Sequence, residues 1–308
     1  MGVDLENWDL DSRNTFGRRT GEQTSQAVYA LANFWLAERT RLVLGGRLQH
    51  SEVSLTPDKA SHDLSAYELA LRQRLAGGWS AYGKLASSFR LATFDEICFT
   101  ACSSPMLEPQ TARSGELGVE YEARGLRLRA SVYEMHLRNE IYFSPLVFDN
   151  VNLSPTQRRG LEIEAAGRMT PALELRAALA LQEATFRSGT YGGTDVSGND
   201  IPLVPETIVT AGASWSISSM RRLNVNARYV GPQRYDNDQA NAFGKMPSYA
   251  LVDAKLAERV GRFEFAFEVR NLFDKNYYSY GIWNGASSFS AYPQPERALY
   301  LSLAYRLD

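Results

Sequence analysis

The two cysteines of the chain, Cys98 and Cys102, are separated by only three residues. Such a pair can close a small loop disulfide in an oxidising compartment, remain as free thiols, or supply two ligands to a metal ion. No histidine lies near the pair in the sequence, so a metal site would lack further ligands there. We predict a disulfide between Cys98 and Cys102, no metal site and no cofactor.

The three histidines are the candidate catalytic groups of the chain. A hydrolase triad requires a histidine held beside a nucleophile and a carboxylate. His50, His62 and His136 are far apart in the sequence, and none lies in a motif that supplies such partners. The sequence therefore predicts that the chain is not an enzyme.

The charge balance excludes one large class of function. The 308 residues contain 33 Lys and Arg against 35 Asp and Glu, with no excess of basic residues for nucleic-acid binding. No run approaches the roughly 18 apolar residues that a transmembrane helix needs. The strands of a transmembrane β-barrel are only half apolar, so this composition is compatible with a barrel.

Alternation of apolar and polar residues dominates the chain. Leu175 and Leu179 alternate with Glu174 and Arg176, which is typical of a strand with one apolar and one polar face. About 14 such segments are found, most longer than the roughly 5–6 residues usual in soluble proteins. Their approximate spans are 3–12, 23–37, 41–55, 63–75, 79–90, 113–123, 126–143, 156–168, 173–187, 205–217, 222–234, 248–259, 263–272 and 296–306.

The connections between these segments alternate in length. Short turns are predicted near 38–40, 77–78, 124–125, 170–172, 218–220 and 260–261, and long connections at 56–62, 91–112, 144–155, 188–204, 235–247 and 273–295. Outer-membrane barrels have short turns at one rim and long loops at the other. We predict an all-β protein: an antiparallel transmembrane β-barrel or partial barrel of about 14 long strands, with outer-membrane lipid around it.

Two sets of side chains are candidates for function. Charged residues on the polar faces are predicted to line the lumen: Arg159, Glu162, Glu164, Glu174, Arg228 and Glu264. Aromatic residues in the loops and upper lumen could bind a bulky chelate by stacking and charge, or could belong to interfacial girdles and loop packing. The ligand candidates are Phe94, Tyr142, Phe143, Tyr235, Tyr280 and Trp283.

Five motifs occur in a fixed order along the chain. They are 88–97 (SFRLATFDEI) followed by 107–118 (LEPQTARSGELG), 158–164 (RRGLEIE), 201–205 (IPLVP), 271–278 (NLFDKNYY) and 292–297 (YPQPER). Together they resemble the C-terminal barrel of TonB-dependent outer-membrane receptors, from about residue 20 onward.

This resemblance implies a plugged barrel of about 22 strands that imports iron-siderophore, cobalamin or a similar scarce nutrient. It also implies localisation in the Gram-negative outer membrane and energy delivered through TonB. No plug, TonB box or signal peptide is recognisable, so we expect a barrel portion whose plug and TonB partners belong to the full-length parent. The alternative is a passive porin or structural barrel of about 14 strands, which would enclose an aqueous lumen.

Overall fold

The computed structural model describes residues 1–14, 17–55, 58–98, 106–284 and 288–307. In chain order the strands are β1 (Gly2–Asn14), β2 (Gly17–Ala37), β3 (Thr40–Leu55), β4 (Asp58–Arg74), β5 (Trp79–Arg90), β6 (Gln110–Ala123), β7 (Leu126–Arg138), β8 (Ile141–Ser144), β9 (Asp149–Asn152), β10 (Thr156–Thr170), β11 (Leu173–Phe186), β12 (Thr190–Tyr191), β13 (Thr194–Asp195), β14 (Thr207–Ser216), β15 (Arg221–Val230), β16 (Tyr249–Val260), β17 (Phe263–Arg270), β18 (Tyr278–Trp283), β19 (Phe289–Pro293) and β20 (Ala298–Tyr305).

Helical structure is scarce in the described ranges. It comprises one turn of α-helix, α1 (Phe94–Ile97), and a 3₁₀ turn at Ala76–Gly78. Neither is long or apolar enough to cross a membrane.

Fourteen of the strands form one antiparallel sheet in the order β1-β2-β3-β4-β5-β6-β7-β10-β11-β14-β15-β16-β17-β20. Each strand pairs with the next long strand along the chain, and the remaining six strands form three small hairpins within loops. Every one of the 14 predicted segments overlaps one strand of the large sheet, so the all-β antiparallel prediction is confirmed.

The short turns between β6 and β7 and between β16 and β17 lie at the same end of this meander. The β6–β7 turn is made by Arg124 and Gly125, both with positive φ (53° and 78°). Gly261, with φ of 60°, makes the equivalent turn between β16 and β17. Because glycine adopts this backbone conformation without a Cβ clash, these sites permit tight reversals.

The predicted strict alternation of short and long connections is wrong at 56–62. The β3–β4 ladder continues to the pair Leu55↔Asp58, so residues 58–62 belong to a strand. The Lys59 ammonium lies 3.0 Å from the Glu52 carboxylate across this ladder, and the Leu55 side chain is 2% exposed. Opposite charges and burial extend the strands where a polar sequence suggested a loop.

The segment predicted as one strand over 126–143 is also interrupted. Strand β7 ends at Arg138, and Asn139 has a φ of 57°, in the left-handed region. The chain then forms the β8–β9 hairpin within the loop. Asparagine tolerates this conformation better than most residues, which accounts for the break.

The sheet has two chemically distinct faces. Cross-strand pairs such as Leu179↔Val209 and Phe267↔Leu301 place apolar residues side by side on the apolar face. This face is the more exposed one; Leu301, for example, is 85% exposed. The opposite, polar face carries most of the charged strand residues. An exposed, continuous apolar face is what a lipid-facing barrel wall requires.

Well-packed cores are found where the loops fold back on the sheet. One contains Val53, Leu55, Ala92, Ile97, Cys98 and Leu107, and the other contains Leu153, Ala184, Phe186, Val196 and Ile201. Both lie at the end of the sheet that carries the long loops. The loop end is therefore a packed structure that can hold side chains in fixed positions.

Candidate functional site

The polar face of the sheet carries a network of paired charges. The Arg129 guanidinium lies 2.9 Å from the Glu116 carboxylate and donates to the Tyr82 hydroxyl at 2.8 Å. Arg72 pairs with Glu120 in the same way. This face borders a cavity of about 1130 Å³, lined by charged side chains that include Arg72, Glu120, Arg129, Glu164, Arg176 and Arg228.

Five of the six predicted lumen charges share this polar face. The register of the sheet places them at alternating positions opposite the leucine and phenylalanine rows: Glu162, Glu164, Glu174, Arg228 and Glu264. That this face lines a lumen remains a prediction.

Arg159 does not belong with them. It lies one residue out of phase with Glu162 and Glu164, on the apolar face with Leu161, and it pairs with Glu183 at 2.8 Å. A shift of one residue moves a strand side chain to the other face of the sheet. The grouping of Arg159 with the lumen charges is therefore wrong in register.

Two of the aromatic candidates meet at one carboxylate. Tyr142 comes from β8, and its hydroxyl lies 2.8 Å from Oδ1 of Asp236 and 2.6 Å from Oδ1 of Asn237. Tyr280 comes from β18, and its hydroxyl donates to Oδ2 of Asp236 at 2.6 Å. Asp236 itself lies in the connection between β15 and β16. Three separate loop segments thus bring two phenol rings together at the loop end.

The environment keeps both phenols protonated. Burial, reinforced by the charge of Asp236, raises the pKa of Tyr142 far above its usual value. Burial and the hydrogen bond to Asp236 raise the pKa of Tyr280 in the same direction. A phenol beside a carboxylate resists ionisation because a second negative charge would be repelled. At neutral pH the Tyr280 hydroxyl donates to Asp236, and the Tyr142 hydroxyl is a donor between Asp236 and Asn237.

Tyr235 and Trp283 lie beside this centre in an aromatic cluster. The Tyr235 ring lies 4.3 Å from the Phe289 ring, and the Trp283 ring lies 4.8 Å from the Phe243 ring. Phe243 also contacts Phe289 edge-on, with ring centroids 5.4 Å apart. Burial, followed by a hydrogen bond with Tyr278, raises the pKa of Tyr235 to about 12.

Phe143 and Phe94 contact other parts of the loop end. Phe143 packs edge-on against Phe148 within its own hairpin, with ring centroids 5.5 Å apart. Phe94 opens α1 and packs against the core that contains Leu55 and Ile97. The structure thus brings together four of the six aromatic candidates, and a ligand role for any of them remains a prediction.

A second group of paired charges lies in the same loops. Asp200 accepts from Arg234 at 3.2 Å and lies 3.1 Å from the Lys245 ammonium. Sequence reasoning selected none of these three residues, nor Asp236. The run of short polar residues 236–238 directly after Tyr235 is ordinary turn composition, so no local signal singled them out.

Only one of the two cysteines lies within the described residues. Cys98 is buried at the end of α1, whereas Cys102 lies outside the described residues. The disulfide therefore stays a prediction. Among the described ranges, no three His, Cys, Asp or Glu side chains are grouped to hold a metal ion.

Comparison with known proteins establishes what this sheet belongs to. A family model described as "TonB dependent receptor-like, beta-barrel" matches residues 3–272. The chain belongs to the TonB-dependent receptor family. Its members are outer-membrane proteins of Gram-negative bacteria, and this chain is likewise an outer-membrane β-barrel sequence.

Individual relatives agree with this assignment. The pesticin receptor of Yersinia enterocolitica is 25% identical over 293 residues, covering 87% of this chain and 42% of the receptor. The catecholate siderophore receptor Fiu of Escherichia coli K12 is 30% identical over 178 residues, covering 55% of this chain and 23% of Fiu. The chain thus spans less than half the length of these relatives.

A solved structure shows the same fold. The siderophore receptor PiuA from Acinetobacter baumannii superposes with a TM-score of 0.77 at 20% identity, over 94% of this chain and 44% of PiuA. The relatives are receptors and transporters by name, and the family therefore points away from catalysis.

Proposed function

We propose that the complete protein is an outer-membrane receptor that imports an iron chelate, or a similar scarce nutrient, with energy supplied through TonB. The observation that carries the ligand proposal is the convergence of Tyr142 and Tyr280 at the loop end, where a ligand from outside the cell first meets the barrel. The names of the relatives, a catecholate siderophore receptor among them, support the same substrate class.

The chemistry of the site favours an aromatic chelate such as a ferric catecholate. Aromatic rings stack with offset or edge-on geometry and gain about 0.5–1.5 kcal/mol per pair beyond the area they bury. The polar face, with its paired arginines and carboxylates, would line the lumen and contact the plug domain and any passing ligand. A passive porin would have no need for the rigid aromatic arrangement at the loops.

Replacing Tyr142 by alanine is expected to reduce uptake of ferric catecholate about tenfold at limiting concentration, since it removes one stacking ring and leaves Asp236 short of a donor. The measurement is radioactive iron uptake in cells that lack other catecholate receptors and carry the complete gene. Tyr121→Ala serves as control, because Tyr121 stacks on Trp79 at the turn end (centroids 4.9 Å apart). Uptake that persists without TonB would contradict the receptor proposal and favour the porin.

A further inference from the structure

Asp236 joins three loop segments through its backbone as well as its side chain. Its amide N–H donates to the Gly281 carbonyl at 2.9 Å, and its own carbonyl accepts from the Trp283 N–H at 2.9 Å. These bonds make a short parallel bridge between Asp236 and Ile282. The carboxylate is therefore held in a fixed position relative to the β18–β19 hairpin.

From that position each carboxylate oxygen holds a different ring. Oδ2 accepts from Tyr280 at 2.6 Å, and Oδ1 lies 2.8 Å from the Tyr142 hydroxyl, which Oδ1 of Asn237 also contacts at 2.6 Å. Hydrogen bonds to an ionised acceptor are shorter and stronger than those between neutral groups. Asp236 engages the Tyr280 hydroxyl, and Asp236 and Asn237 together engage the Tyr142 hydroxyl, so a ligand would meet the ring faces and edges of the two tyrosines.

The neighbouring acid, Asp238, has a different task. Its side chain accepts from the backbone N–H groups of Ala242 (2.8 Å) and Phe243 (3.3 Å), so it stabilises the turn of its own loop. It is 1% exposed and has no bond to either tyrosine among the described residues. Asp236 therefore contacts the tyrosine hydroxyls, whereas Asp238 stabilises the fold of the loop.

We infer that Asp236 is a positioning residue that holds the Tyr142 and Tyr280 rings in fixed orientations around one carboxylate, and thereby sets a preference for planar aromatic iron chelates over chelates without rings. This inference rests on the proposed function. Its physical basis is preorganisation: rings that are already immobilised lose less conformational entropy when a ligand stacks on them.

The test compares Asp236→Asn with the matched control Asp238→Asn in the complete protein in outer membranes. An asparagine at 236 offers one acceptor oxygen instead of two charged ones, so one ring is released. The probes are the ferric complex of 2,3-dihydroxybenzoate and a ferric trihydroxamate without rings. We expect Asp236→Asn to weaken catecholate binding about tenfold, and to change trihydroxamate binding by less than about twofold.

Four outcomes distinguish the positioning role of Asp236 from general loosening of the loop and from a failure of the proposed function. Asp238→Asn should leave the ratio of catecholate affinity to trihydroxamate affinity unchanged. If both variants lowered this ratio equally, a general loosening of the loop would be responsible, and the inference would be overturned. In an Asp236→Asn background, adding Tyr280→Phe should cost little more, because the two residues act as a unit. Wild-type protein that binds neither chelate would refute the proposed function itself. Wild-type binding unaffected by Asp236→Asn would refute only the positioning role.

Discussion

Replacing Phe186 by alanine is expected to destabilise the packed loop end by about 3–5 kcal/mol, the usual cost of emptying an aromatic core position. Phe186 is 1% exposed and packs with Leu153, Val196 and Ile201, which come from both neighbouring loops. The loss should therefore be local: segment 187–206 should become sensitive to protease while the sheet stays intact. Limited proteolysis of membranes, followed by mass spectrometry of the released peptides, measures this directly.

The matched control for this substitution is Leu181→Ala. Leu181 lies on the same strand but is 40% exposed on the apolar face, so its removal leaves no cavity among the loops. Equal cleavage of both variants, or protection of 187–206 in Phe186→Ala, would show that the core around Phe186 does not hold the loops.

Placing an arginine on the apolar face should have the second large effect. Leu179 lies within β11 between Ile163 and Val209, and Leu179→Arg is expected to cost about 2–4 kcal/mol if this face meets lipid near the bilayer midplane. The amount of folded protein in the outer membrane should fall accordingly. Urea unfolding of the protein in lipid vesicles gives the free energy.

The adjacent position provides the control. Ala178 lies on the polar face beside Glu164 and Thr210, so the arginine of Ala178→Arg gains a carboxylate partner. The free energy of unfolding of this variant should lie within about 1 kcal/mol of the wild-type value. If Ala178→Arg were the damaging change and Leu179→Arg the harmless one, the assignment of the two faces would be reversed.

The sheet could be predicted from the sequence because its signal is local. Alternation of side chains, as in Leu175 and Leu179 against Glu174 and Arg176, reports on each strand independently of the others. In a meander each strand pairs with its sequence neighbour, so no long-range information was needed to order them. The family motifs added the outer-membrane context that alternation alone does not specify.

The errors arose where local rules compete with tertiary contacts. Residues 58–62 are polar enough for a loop, yet the Lys59–Glu52 pair and the burial of Leu55 extend the ladder. Arg159 lies close to Glu162 in the sequence, but the odd spacing of three residues puts their side chains on opposite faces of the strand.

The candidate site was only half predictable for the same reason. Aromatic character in the loops was visible, and it selected Tyr142 and Tyr280. Their meeting at Asp236 depends on contacts across 94 and 44 residues of sequence. No local pattern encodes such contacts, and an acid in a polar loop ordinarily indicates a solvated turn.

Hydrogen exchange with bound chelate measures whether the ligand binds where the three loop segments meet at Asp236. Membranes containing the complete protein would be exchanged with and without saturating ferric 2,3-dihydroxybenzoate. We expect slower amide exchange in 141–152, 231–248 and 278–293, and unchanged exchange in the turns at 124–125 and 261–262. Protection confined to the turns, or bound chelate with no protection in the three loop segments, would contradict it.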